Sequence, residues 1–104
     1  DGKEMMGVKF DSEKTDFLLL PWRELEDVAE VLMFGAKRYS PDNWKRMEDK
    51  TRFLKALLRH VVARAKGEVI DPDSGKPHMS HAICEALFLA WHDTEDGSNK
   101  EAVK

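Results

Sequence analysis

The sequence predicts an all-α domain of three to four helices, and three observations carry that prediction. Apolar residues recur at helical spacing in three separate segments, Pro or Gly stands at a boundary of each, and no segment convincingly alternates apolar with polar residues as a half-buried strand does. At 104 residues the chain is read as one domain, 1–104, with a core of modest size.

Taken in order, residues 1–20 carry scattered charge and two glycines with no helical period. They read as an extended arm that ends in Phe17-Leu18-Leu19-Leu20 and packs on the domain or a neighbour. The first helix runs from Pro21 to about Tyr39, with Trp22, Leu25, Val28, Ala29, Leu32, Met33 and Ala36 on one broad apolar face. Ser40-Pro41-Asp42-Asn43 is turn chemistry and delivers Trp44 from a loop. The second helix spans about Thr51–Lys66 and stops at Gly67, with Phe53, Leu54, Leu57, Leu58, Val61 and Ala65 facing inward. An acid-rich loop leads to the third helix. Pro77 suits its first position because it has no N–H to leave unpaired there, and no further Gly or Pro occurs from His78 to Trp91. The polar end, 97–104, reads as a flexible tail.

Seventeen basic and twenty acidic residues leave a net charge of −3, which offers no global attraction to nucleic acid or to an anionic membrane. Any phosphate binding must be local. The single cysteine, Cys84, excludes structural disulfides within the chain, and a cytoplasmic setting is the simplest one. The apolar runs at Phe17–Leu20 and Ala86–Trp91 are too short to span a bilayer, and the N-terminus lacks a signal-peptide pattern.

Chemistry concentrates in the third helix and the loop before it. At 100° per residue His78, His81, Glu85 and His92 fall on one narrow stripe, while Ala82, Ile83, Cys84, Ala86, Leu87, Leu89, Ala90 and Trp91 make the rest apolar. So apolar a helix should be largely buried, and buried imidazole or carboxylate is costly unless it is paired or holds a cation. Together with Glu68 and Asp71 the stripe is the first suspect for an active site. The segment Asp71-Pro72-Asp73-Ser74-Gly75 is not an EF-hand, since the position eleven beyond Asp71 is Ala82 rather than a bidentate acid.

Other sets admit two readings. Glu26, Asp27 and Glu30 lie within about a turn of one another on the first helix, as ligands for a hard divalent cation or as an ordinary solvated face. On the second helix Arg52, Lys55, Arg59 and Lys66 cluster as an exposed face would. His60 and Arg64 share the side of Phe53 and Leu57, so they line a cavity or are partnered in the core. In Phe34–Trp44, Lys37 suits phosphate, Asn43 a base edge or ribose, and Tyr39 and Trp44 stacking; alternatively Trp44 plugs a gap between helices. Walker, dinucleotide-binding, serine-elbow and CxxC motifs are absent.

Taken together, Lys9-Phe10-Asp11, Leu19-Leu20-Pro21, Phe34-Gly35-Ala36-Lys37-x-Tyr39, Asn43-Trp44, Leu57-Leu58-Arg59-His60, Gly67-Glu68, Asp71, Ser74-Gly75 and His78-x-x-His81-Ala82 match a family. The chain resembles the phage dATP/dGTP diphosphohydrolase-like family over roughly residues 8–92, in both order and spacing. That family is similar to the MazG-like all-α NTP pyrophosphatases. The resemblance implies cleavage of a purine nucleoside triphosphate to monophosphate and pyrophosphate, with Mg2+ or Mn2+ as cofactor, in a homo-oligomer in the host cytoplasm. Glu26-Asp27-x-x-Glu30 looks like the first acidic motif of the MazG group. Its second acidic motif is missing from its usual place, where His60, Glu68, Asp71, His78 and His81 stand instead, and Glu85 sits where an amide is expected in relatives.

On that resemblance, Glu26, Asp27, Glu68, Asp71, His78 and His81 are candidate metal ligands, and Glu68, Asp71, His78 and His81 the candidate catalytic set. Lys37, Arg59, His60 and Arg64 would hold phosphates, and Tyr39, Asn43 and Trp44 base and sugar. The competing class is a non-catalytic phage protein that sequesters a nucleotide. A third, a small helical interaction module with a structural metal, leaves Lys37–Trp44 without a role.

Overall fold

The computed structural model describes residues 13–95 and is all-helical there. Its elements are α1 (Trp22–Arg38), α2 (Thr51–Ala65) and α3 (His78–Glu95), with single 3-10 turns at Phe17–Leu19 and Asn43–Arg46. Most of the expected arm and all of the expected tail lie outside the described residues. The described end of the arm is not fully extended: Asp16 accepts a hydrogen bond from the Leu18 N–H at 3.1 Å and closes Phe17–Leu19 into a turn. The apolar side chains of that turn are exposed.

Local chemistry sets the helix ends. Glu24 stands in the first turn of α1 and Lys37 and Arg38 in the last, each complementing the helix dipole. Before α2, Asp49 accepts from the Thr51 N–H at 3.1 Å. After it, the Gly67 N–H donates to the Arg64 carbonyl and the Glu68 N–H to the Ala63 carbonyl, both at 3.0 Å. This is a Schellman turn, and Gly67 at φ 104° supplies the left-handed residue it requires. The turn fixes where Glu68 leaves α2. Helix α3 runs on to Glu95.

Helix α3 packs along α2 and against α1. Val28 and Val31 of α1 meet Cys84, with Phe88 packed against them, and the Cys84 thiol donates to the Val28 carbonyl. Burial pushes that thiol up to about 12, so it stays protonated. A second cluster joins the Asn43–Arg46 turn to the helices. Trp44 stacks on Phe88 at 4.7 Å between centroids and meets the edge of Trp91, while the Phe53 ring lies against Phe88 and His92. The His92 Nε2–H donates to the Trp44 carbonyl at 2.9 Å. His92, fourteen residues and about 21 Å along the axis from His78, therefore belongs to this packing cluster and not to the other histidines.

Helix α3 buries polar side chains together with the apolar Ala82 and Cys84 and leaves an apolar arc exposed. His78, Ser80, His81 and His92 are buried, whereas Met79 is 41%, Ile83 40% and Leu87 50% exposed. The sequence expectation of a largely buried helix holds for the histidine side, and the opposite arc is apolar surface that the described residues do not cover. On α2 only Phe53 is fully buried. Leu54, Leu58, Val61 and Arg64 are exposed, against the expected inward face, because α3 covers one side of α2 and no described residue covers the other. Among the described residues no helix is long and apolar enough to cross a membrane.

Replacing Trp44 with Ala removes a ring wedged between Phe88 and Trp91. The expected loss of stability is about 2–4 kcal/mol by urea unfolding. A loss below about 0.5 kcal/mol would show that the cluster does not hold the turn to the helices.

A candidate active site of coupled histidines and carboxylates

Between α2 and α3 the chain makes a tight loop whose backbone is closed by its own hydrogen bonds. The Asp71 N–H donates to the Lys76 carbonyl at 2.8 Å, the Gly75 N–H to the Asp71 carbonyl at 2.8 Å, and the His78 N–H to the Val69 carbonyl at 2.9 Å. Gly75 takes φ 75°, which a side chain would strain. Asp71 folds back on the loop, accepting from the Asp73 N–H at 3.2 Å and the Ser74 hydroxyl at 3.3 Å. The loop thus presents Glu68, Asp71 and Ser74 to the first turn of α3, where His78 and His81 stand one turn apart.

Two hydrogen-bonded chains result. In the first, His78 Nε2 lies 2.7 Å from Glu68 Oε1 and His78 Nδ1 lies 2.8 Å from His60 Nδ1. With Glu68 accepting from His78 Nε2–H and both rings uncharged, His78 Nδ1 accepts from His60 Nδ1–H. His60 is left with a bare Nε2, a lone pair fixed by a network that ends on a half-exposed carboxylate. In the second chain, His81 Nε2 lies 2.6 Å from the Ser74 hydroxyl and 3.3 Å from Asp71 Oδ2. Ser74 donates to Asp71 and accepts from His81 and from the Lys76 N–H. The His60 and His81 rings stack at 4.6 Å and 11°, which joins the two chains.

Burial, helped by the neighbouring imidazoles His81 and His78, holds His60 below its ordinary value. Burial likewise lowers His81, with Asp71 opposing and His78 assisting. Burial resists ionisation of Asp71, yet the Asp73 N–H, His81 and the Ser74 hydroxyl together hold it below the usual carboxylate range. These directions favour an ionised Asp71 beside uncharged His60 and His81 near neutral pH, and an uncharged imidazole is the state a general base needs. Glu85, one turn beyond His81, is pushed up by burial to about 7, with Arg59 opposing.

A shallow groove along α2 reaches this cluster. Lys55, Leu58, Arg59, Val62, Ala63, Lys66 and Glu68 line it, and Glu68 also holds His78. Lys55, Arg59, Val62 and Lys66 follow a spacing of four, three and four, so three cations stand along one edge. That spacing was the available sign that Lys55 and Lys66, read from the sequence as an ordinary exposed face, belong with Arg59.

On α1 Glu26 is exposed and Asp27 and Glu30 are half-buried. The Lys76 ammonium pairs with Glu30 Oε1 and lies in the field of Asp27 and Glu26. Arg38 Nη1 pairs with Asp73 Oδ2 at 3.2 Å. Oxygen donors that already draw a cation suit Mg2+ or Mn2+ in their chemistry. Among the described residues, however, no three His, Cys, Asp or Glu side chains stand grouped as a metal-holding set. Lys37, Tyr39 and Arg64 are exposed, Asn43 is half-buried at the start of its turn, and the Trp44 ring is engaged by Phe88 and Trp91. The structure brings together His60, Glu68, Asp71, His78 and His81, and adds Ser74 and Lys76, which the sequence reading did not select as site residues.

Fold and cluster define a small all-α domain with a carboxylate–imidazole site. A family model described as "dATP/dGTP diphosphohydrolase, N-terminal" matches residues 4–102, and the chain belongs to that family. It is 36% identical over 87 residues to a dATP/dGTP diphosphohydrolase of Salmonella phage PMBT28, an alignment covering 84% of this chain and 30% of the relative. The chain therefore spans about a third of that relative's length. No solved structure matches.

Glu85 provides a pH test of the site's electrostatics. Its proton is held more tightly in the fold, near 7, than at the ordinary 4.5, so its contribution is full below about pH 4.5 and is lost as pH rises through 7. His60 and His81 act oppositely: their folded values lie below 6.5, so their cost appears as pH falls beneath that. Glu85→Gln should raise stability at pH 8 by on the order of 1–2 kcal/mol and leave it unchanged at pH 4.5. Equal destabilisation at both pH values would contradict burial as the cause.

Proposed function

We propose that this domain hydrolyses a purine deoxynucleoside triphosphate to the monophosphate and pyrophosphate, with Mg2+ or Mn2+ as cofactor. The observation that carries the reading is the chain Glu68–His78–His60, whose carboxylate end lines a cation-edged groove, in a member of a dATP/dGTP diphosphohydrolase family.

In this reading Lys55, Arg59 and Lys66 hold phosphate oxygens along the groove, with Lys37 and Arg64 as further exposed cations. His60 Nε2 takes a proton from the water that attacks an inner phosphorus. The charge does not remain on the buried ring: His60 Nδ1–H passes to His78 Nδ1, and His78 Nε2–H to Glu68, whose half-exposed carboxyl returns the proton to solvent. Asp71 and Ser74 orient His81, which stacks on His60 and keeps that ring in place. A bound divalent cation would offset phosphate charge and lower the pKa of water; Glu26, Asp27 and Glu30 on one side, and Asp71 and Glu68 on the other, are the oxygen donors offered to it. Tyr39, 69% exposed, and Asn43 are the groups for base and sugar; Trp44 contributes chiefly by packing.

The reading includes a homo-oligomer. The exposed arc Met79, Ile83 and Leu87 of α3, with Leu54 of α2, is apolar surface that a second copy would cover. A cytoplasmic setting goes with the nucleotide substrate.

Incubation with each dNTP and NTP plus Mg2+ or Mn2+, with products separated by chromatography, should give purine monophosphate and pyrophosphate in equal amounts from a protein that light scattering reports as a dimer or larger. Orthophosphate as primary product would contradict the bond assigned. Tight binding without turnover under either metal would replace hydrolysis by sequestration, and a monomer at micromolar concentration would remove the oligomer.

A further inference from the structure

Two apolar surfaces of this chain are uncovered by any described residue. The first is a knob at the start of α1. The Asp16 carboxylate accepts from the Leu18 N–H at 3.1 Å and the Asp16 carbonyl from the Leu19 N–H at 3.3 Å, so Phe17–Leu19 is held as a closed turn that leads through Pro21 into α1. Its side chains nevertheless stand in water: Leu18 is 84% and Leu19 82% exposed, and Phe17, Leu20 and Trp22 are exposed as well. Val28, the first fully buried residue of α1, comes six residues after Trp22, about 9 Å along the axis, so the knob stands ahead of the buried part of the helix. The second surface is the outer face of α3. Its exposed positions from Met79 to Ala90 are Met79, Ile83, Ala86, Leu87 and Ala90, without one charged side chain, and Leu54 of α2 is exposed too. A helix face that meets water ordinarily carries charge.

We propose that the Phe17–Trp22 knob of one copy docks on the outer face of α3 in a second copy, and that the exchange is reciprocal. This rests on the homo-oligomer in the proposed function and names the segment that makes it. A second copy is the occupant because the chain itself supplies both halves of the contact, and a reciprocal exchange closes at two copies where a one-way contact would continue into a filament. The nine large apolar side chains of the two surfaces each leave on the order of 100 Å2 in water, so a pair that covers them all reaches the roughly 1,600 Å2 of a specific interface. The knob is already closed as a turn, so docking does not have to order it. The uncharged outer face of α3 leaves no ion to be stripped of water when the knob arrives.

The test mixes two single variants, Leu19→Cys and Ile83→Cys, under mild oxidation and reads disulfide-linked dimers by mass spectrometry. Cys84 is buried and stays protonated, so it does not compete. The mixture should give a heterodimer linked between positions 19 and 83, several-fold above any dimer that either variant forms alone. Light scattering over a dilution series then compares the wild type with the double variant Leu18→Asp, Leu19→Asp, whose replaced side chains are too exposed for the fold to depend on them. The double variant should associate at least about tenfold more weakly, with unchanged helical content by circular dichroism. A wild type and a double variant that associate equally well would overturn the exchange and leave the oligomer standing, and so would a mixture without the 19–83 link. A monomeric wild type would overturn both the exchange and the oligomer, and would leave the hydrolysis untouched.

Discussion

The hydrogen bond from His78 Nε2–H to Glu68 is the constraint on which the site depends. It selects the tautomer of His78, which in turn selects that of His60, and so decides which nitrogen in the cluster carries a free lone pair. Its geometry is a backbone matter. The Schellman turn at Gly67 aims Glu68 back toward α3, and the bond from the His78 N–H to the Val69 carbonyl sets the helix start one turn from it. A residue with a side chain at Gly67 would strain that turn and move the carboxylate before it altered any chemical group.

Placing imidazoles inside a small domain costs stability unless they are partnered, and the domain meets most of this cost by pairing them with each other, with carboxylates and with a serine, while His60 Nε2 is left bare. Among the described residues no buried side-chain nitrogen or oxygen lacks a partner. The consequence is a helix that buries a polar stripe beside its apolar contacts. The polar stripe of α3 faces the protein, and Met79, Ile83 and Leu87 face away. Stability then rests on a few apolar contacts, Val28, Val31 and Cys84 with Phe88, and on the aromatic cluster around Trp44. Hydrogen bonds are concentrated where the loop and α3 meet, and no described residue covers the exposed apolar arc.

Much of this was legible in the sequence. Helical periodicity and the punctuation at Pro21, Gly67 and Pro77 placed each helix start within a residue of where it lies, and the short spacing from Glu68 to His81 identified the cluster because its members are neighbours in the chain. The rest was not legible for a physical reason. Periodicity tells which residues share a face but not which face a neighbour covers, so Arg64 and Leu58 were placed inward and lie outward. His92 fits the stripe by angle, yet the distance along the axis carries it into a different cluster. Long-range pairs such as Lys76 with Glu30 leave no local pattern at all.

The central claim is that the cluster holds His60 uncharged, protonated on Nδ1 and bare on Nε2. Long-range proton–nitrogen NMR on imidazole-labelled protein at pH 7 reads this directly. The account expects the neutral Nδ1–H form for His60 and the Nε2–H form for His78 and His81. A charged His60 at pH 7, or a proton found on its Nε2, would contradict it.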